Sequence, residues 1–196
     1  TLAELRALAA VHGPLGLVHL DAHHDLWDRY FDLPYNHGTV FRRALEEGLI
    51  DPARSLQAGM RGSLYSADDL AVAAEHGLEL IPGPELADLG PAAWAARVHE
   101  RVGSGPAFLT FDVDFVDPAF CPGTGTPEVG GPTSAEALAH LRALDPAIDF
   151  RGFDVVEVSP AYDGPGQTTA LLAANVLYEQ LSLVARRRAG AVATQP

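Results

Sequence analysis

Two rhythms alternate along this chain. Short apolar runs of four to six residues (Leu17–Leu20, Ser55–Met60, Leu78–Ile81, Phe108–Phe111 and Phe153–Val158) are separated by stretches whose apolar positions recur every three or four residues. The first pattern predicts strands buried on both faces, the second amphipathic helices. Leu2, Leu5, Leu8 and Ala9 form a helical stripe over residues 1–12, stopped by Gly13-Pro14. Val40–Glu47 reads as a helix closed by Gly48, and Ala67–His76 as one opened by a Ser66-Ala-Asp-Asp69 cap and ended by Gly77. Pro91 opens and Gly103 closes the next helix, Pro91–Val102. Thr133 and Glu136 form a capping box for Ser134–Leu144. A long helix runs from Thr168 to about Arg188, followed by an Ala-Gly-Ala-Val-Ala-Thr-Gln-Pro tail expected to lack structure.

Strands alternating with helices, with no repeat and no linker, predict one α/β domain over residues 1–196, with a parallel sheet and helices on both faces. Ligands of such sheets bind beyond the carboxyl ends of the strands, and the chemistry of this chain is concentrated there. The first run delivers Asp21, His23 and Asp25 at alternate positions, where a continuing strand would turn all three to one face. Such a triplet is either a polar loop or a set of oxygen and nitrogen ligands suited to Mn²⁺, Zn²⁺ or Fe²⁺. A second acidic pair, Asp112-Val113-Asp114, follows the run Ala107–Phe111, and Glu157 stands in the last strand. One cation cannot readily use four aspartates and a histidine. Two cations bridged by shared carboxylates can, and such a pair activates a shared water. His19, two residues before Asp21, is a further ligand or a buried support; His24 falls on the opposite face.

The composition narrows the partners. The chain has 196 residues, 47% of them apolar, and a formal charge of -13. All 13 basic residues are arginine, which excludes lysine-based chemistry, and the acidic balance argues against nucleic acid. It suits cationic ligands: metal ions, amines, guanidines. No apolar run is long enough for a membrane span, no secretory leader opens the sequence, and the single cysteine, Cys121, fits a reducing compartment, so a cytoplasmic protein is expected. Cys121 lies in a Pro/Gly loop with nothing nearby in sequence to activate it.

The order and spacing of these pieces resemble the ureohydrolase family, the arginases and agmatinases. Asp21-Ala-His23-His24-Asp25 is similar to its first aspartate-rich motif, and Thr110 to Glu128 (Thr-Phe-Asp-Val-Asp-Phe-Val-Asp-Pro-Ala-Phe-Cys-Pro-Gly-Thr-Gly-Thr-Pro-Glu) to its second. Asp154–Asp163 and Thr168–Asn175 resemble the closing motif, and Asn36-His37-Gly38-Thr39 with Phe41-Arg42-Arg43 resembles the agmatinase branch.

The resemblance implies a three-layer α/β/α fold with a mostly parallel sheet, and two Mn²⁺ ions. By it, Asp21 and Asp112 bridge the ions, while His23, Asp25 and Asp114 each ligate one. A metal-bridging hydroxide would attack a guanidinium carbon, releasing urea and an amine. Glu157 would pair with the guanidinium, His37 would shuttle protons, and the backbone around Gly125 and Thr126 would close the pocket. Agmatine is the first expected substrate, 4-guanidinobutyrate or a relative the second, and arginine less so. A homo-oligomer, trimer or hexamer, is a further implication. The family's Gly-Gly-Asp-His motif, which supplies a sixth ligand, is absent, and the chain matches the family as an N-terminally truncated domain. Two alternatives follow: a catalytically silent subunit acting within an oligomer, and a related hydrolase of formimino compounds.

Overall fold

A computed structural model describes every residue except 65, 67, 70 and 194–196. Five strands form one sheet: β1 (Gly16–Leu20), β2 (Leu56–Met60), β3 (Glu79–Pro82), β4 (Pro106–Asp112) and β5 (Asp149–Val156). Their order is β3-β2-β1-β4-β5 and every pairing is parallel. Parallel neighbours need crossovers, and helices supply them. On one face lie α1 (Leu2–His12), α2 (Val40–Glu46) and α3 (Ala71–Glu75), packed through Leu5, Phe41, Leu17 and Phe108. On the other lie α4 (Gly83–Val102), α5 (Ser134–Ala143) and α6 (Thr168–Ala193), packed through Trp94, Val98, Phe111, Phe115 and Leu141. The expected three-layer α/β/α architecture is therefore present among the described residues.

The chain winds outward from β1 through β2 to β3, then returns to the middle and winds the other way through β4 to β5. The reversal falls between β1 and β4. In a doubly wound sheet that is the crevice where ligands bind, because the loops leaving two adjacent strands part in opposite directions there. Both acidic motifs leave the sheet at this point.

Several boundaries differ from the sequence reading for local reasons. The helix expected from Pro91 starts at Gly83; Gly90, at φ 67, breaks it, and Pro91 opens its second half. Strand β5 begins four residues before Phe153 and ends at Val156, so Glu157 lies just past it. The helix expected from Ala67 is described from Ala71, Ala67 itself lying outside the described residues. Helix α6 continues through Ala193, so most of the tail is helical; residues 194–196 lie outside the described residues. The Thr133–Glu136 capping box is present as expected, Glu136 N donating to Thr133 Oγ1 and Thr133 N to Glu136 Oε2. No helix among the described residues is long and apolar enough to cross a membrane.

Candidate metal centre

Neither acidic motif is a strand. Strand β1 ends at Leu20, and Asp21 Oδ1 accepts from His23 N at 2.7 Å, turning the chain at once. Strand β4 ends at Asp112, whose Oδ1 accepts from Asp114 N at 2.8 Å as residues 113–115 enter a short 3₁₀ turn. The same Asx turn thus follows both strands, with the first aspartate capping the residue two places on. Alternation along a strand does not bring the acids together, as the sequence reading supposed; two matching turns do. Asp25 completes the first loop at φ 53, and Glu157 leaves β5 at φ 61. Both are non-glycine residues in the left-handed region, a cost of order 1–3 kcal/mol that the surrounding structure must hold in place.

The turns are locked to one another. Ala22 N donates to Asp114 Oδ1 at 3.1 Å, His23 Nδ1 lies 3.0 Å from Asp114 Oδ2 and 3.5 Å from Asp21 Oδ1, and Thr126 Oγ1 donates to Asp114 Oδ2. Two ligand-sized groupings result, one of His19, Asp21 and Asp25, the other of Asp21, His23 and Asp114, with donor atoms within 4.8 Å in each. Asp21 is common to both. Asp112 lies outside these groupings but lines the same cavity, where the charges of Asp21 and Asp114 act on it.

The cavity, of about 260 Å³, takes in Asp21, His23, Asp25, Asp112 and Asp114 at its base. His37, Thr126 and Glu157 line its walls, so the five acidic and imidazole residues expected as ligands meet here the three expected to face a substrate. The geometry adds Trp27 and Tyr30, whose rings stack with centroids 5.1 Å apart, together with Ser63, Leu64 and Glu128. Tyr30 stands edge-on to His37 at 5.1 Å. In the loop after β1, which carries four aromatic residues, Trp27 and Tyr30 face the cavity, while Phe31 and Tyr35 are exposed. His37 is placed by a second capping box, in which Asn36 accepts from Gly38 N and donates its own N–H to Thr39 Oγ1.

Electrostatically the base of the cavity is short of positive charge. Burial, then mutual repulsion, pushes Asp21, Asp25 and Asp112 well above the usual carboxylate range. Burial alone would lower His23, but its hydrogen bonds to Asp114 and Asp21 prevail and lift it to about 11. Burial opposes Asp114 too, yet His23 holds it below its ordinary value. The one protonated imidazole therefore stands in for a cation among four acids. Carboxylates clustered around one imidazole are a donor set that suits paired divalent ions. The residues present fit such a pair.

Arg61 was missed by sequence reasoning, since an arginine after a strand has no signature. Its Nη2 donates to Asp114 O and Glu128 O at 2.8 Å, Nη1 to Gly59 O at 3.2 Å and Nε to Val129 O at 3.2 Å. It ties the loop after β4 to the end of β2. Gly59, at φ 104, permits the packing: a Cβ there would meet the Phe115 ring at 2.5 Å and Asp21 O at 2.7 Å.

Other candidates resolve plainly. His24 is buried, and its Nδ1 accepts from Leu26 N, away from the acids. Asp163 caps α6, accepting from Thr169 N and Ala170 N. Asp117 shapes its loop by accepting from Ala119 N and Gly130 N. Cys121 is buried, which lifts its thiol to about 11 and keeps it unreactive.

The fold and the site together define a doubly wound α/β protein with a pair of acidic turns at the switch point of its parallel sheet. The chain belongs to the arginase family, whose profile matches residues 1–182. It is 53% identical over 190 residues to a guanidinopropionase of Pseudomonas aeruginosa, covering 96% of this chain and 59% of that protein. It is 42% identical to a mitochondrial agmatinase of Gallus gallus, covering 94% and 54% respectively. The solved structure of proclavaminate amidinohydrolase from Streptomyces clavuligerus superposes with a TM-score of 0.89 at 45% identity, covering 95% of this chain and 61% of that one. The chain spans a little over half the length of these relatives.

Proposed function

We propose that this chain carries the catalytic centre of a Mn²⁺-dependent amidinohydrolase that splits a small linear guanidino compound into urea and an amine. The observation that carries this reading is the pair of ligand groupings sharing Asp21 at the base of a cavity walled by Glu157, His37 and aromatic rings. Asp21, Asp25 and Asp112 would hold one ion, and Asp21, His23, Asp112 and Asp114 the other. When bound, the ions lower the pKa of a shared water to near neutrality, making a nucleophile available.

The chain's own groups do the rest. Glu157 offers a carboxylate to the planar guanidinium, a bidentate match that orients the carbon over the base of the cavity. Its left-handed backbone turns the side chain back from the end of β5. His37, on the cavity wall, accepts and returns the proton that must reach the departing nitrogen. Thr126, bonded to Asp114, fixes the loop that closes one side. Trp27 and Tyr30 present flat apolar faces to the methylene tail and exclude water.

Among the described residues, the ionisable groups lining the cavity beyond the metal-ligand set are His37, Glu128 and Glu157, with no arginine. That favours an amine tail, as in agmatine. A carboxylate tail is the second reading, favoured by the 53% identity to a guanidinopropionase. Urea release from agmatine, 3-guanidinopropionate, 4-guanidinobutyrate and arginine, with added Mn²⁺, tests both. Glu157→Gln should abolish most turnover of any guanidinium substrate but matter less for a formimino one; absence of urea from all four compounds contradicts the proposal. Leu171, Leu177, Tyr178 and Leu181 leave an apolar stripe exposed on α6, which supports assembly into a homo-oligomer, measurable as native mass.

A further inference from the structure

Asp21 belongs to both ligand groupings, so whatever fixes its carboxylate acts on both halves of the site. His19 lies within ligand range of Asp21 and Asp25, and distance alone would make it a ligand. We infer that His19 is instead a positioning residue that holds Asp21, and that Gln57 sets it in that role. The inference rests on the reading of Asp21 as a metal ligand.

The argument is one of proton placement. His19 and Gln57 are register partners on β1 and β2, both wholly buried between neighbouring strands. Gln57 lies 2.6 Å from the carbonyl of His24, which can only accept, so the atom there is the amide nitrogen. The same nitrogen lies 2.9 Å from His19 Nδ1. Its second hydrogen is donated to Nδ1, which must therefore present a lone pair. The ring proton is left on Nε2, which donates to Asp21 Oδ2 at 2.7 Å. A ligating imidazole is arranged the other way: its lone pair faces the ion, and its remaining N–H is donated to a carbonyl or carboxylate. Phe41, its ring centroid 4.2 Å from the imidazole, packs against the ring that these two bonds hold. The chain His24 C=O, Gln57, His19, Asp21 thus runs from one loop into the carboxylate the two groupings share.

¹⁵N NMR of the metal-free wild-type chain at neutral pH reads the tautomer directly. The expected result is a proton on Nε2 and none on Nδ1. Mn²⁺ titration followed by electron paramagnetic resonance supplies the second readout. Gln57→Leu and His19→Phe should each weaken Mn²⁺ binding by about 10–100-fold. His19→Gln, whose amide N–H still points along the same path, should recover much of that loss. The imidazole nitrogen coupling to Mn²⁺ should be the same in His19→Phe as in the wild type. A proton on Nδ1 in the wild type, or the loss of a coupled nitrogen in His19→Phe, overturns the inference. If the wild type binds no Mn²⁺, the proposed function fails, while the tautomer of the wild-type chain still decides the place of His19.

Discussion

Arg61 provides the sharpest test of how this centre is held together. The two bonds at 2.8 Å, to Asp114 O and Glu128 O, are charge-assisted and contribute about 1.5–3 kcal/mol each; the two at 3.2 Å contribute about half as much. The gross figure, about 5–9 kcal/mol, overstates the cost of Arg61→Ala. The guanidinium is only partly buried and also lines a neighbouring cavity, so water can reach some of the freed carbonyls. We expect a net loss of about 2–4 kcal/mol, seen as a lower urea midpoint with an unchanged slope. Because Asp114 is released along with its loop, Mn²⁺ affinity should fall as well. Arg61→Lys keeps the charge but cannot span four carbonyls, and should recover less than half of either loss. A variant Arg61→Ala with the wild-type midpoint and wild-type Mn²⁺ affinity would refute this reasoning.

Three further outcomes follow from the same geometry. Gly59→Ala should cost about 2–4 kcal/mol, from overpacking against Phe115 and the positive φ together, and should displace Asp21; calorimetry and Mn²⁺ binding both report it. Burial lowers His24 to about 4, so the unfolded chain gains a proton below pH 6.5 that the folded chain refuses. Its stabilising share is complete above pH 6.5 and disappears as pH falls toward 4, so wild type should lose about 3 kcal/mol more than His24→Phe between pH 7 and pH 4, measured by urea denaturation at each pH. Thr133→Ala removes one half of the α5 capping box and should cost about 1 kcal/mol with no change in Mn²⁺ binding, which separates global from local effects.

Much of this was legible in the sequence. Apolar runs such as Leu17–Leu20 and Phe108–Phe111, each with a single polar residue (His19 and Thr110), read as buried strands, and punctuation such as Gly13-Pro14 and Thr133/Glu136 marks helix ends. The acidic triplets gave the place of the site through the rule that parallel strands present their carboxyl ends on one edge. The turn geometry was not legible, since Asp21 and Asp112 read as continuing strands until one sees them capping His23 N and Asp114 N. Nor was Glu157's placement, which depends on a left-handed φ rather than on strand alternation. Arg61 and Gln57 act through partners 33 to 68 positions away, from His24 O for Gln57 to Val129 O for Arg61, and no local pattern encodes such contacts. The order β3-β2-β1-β4-β5, which puts the switch point between the two motifs, is likewise a property of the whole chain.

The central claim is that one carboxylate, Asp21, serves two ions. Equilibrium dialysis against Mn²⁺, with the bound metal counted per chain, tests it for wild type beside Asp21→Asn and Asp114→Asn. The account predicts two ions on the wild type, both lost in Asp21→Asn, and a selective loss of one in Asp114→Asn. A wild-type chain that takes a single ion, or an Asp21→Asn variant that still holds one as tightly as before, would contradict it.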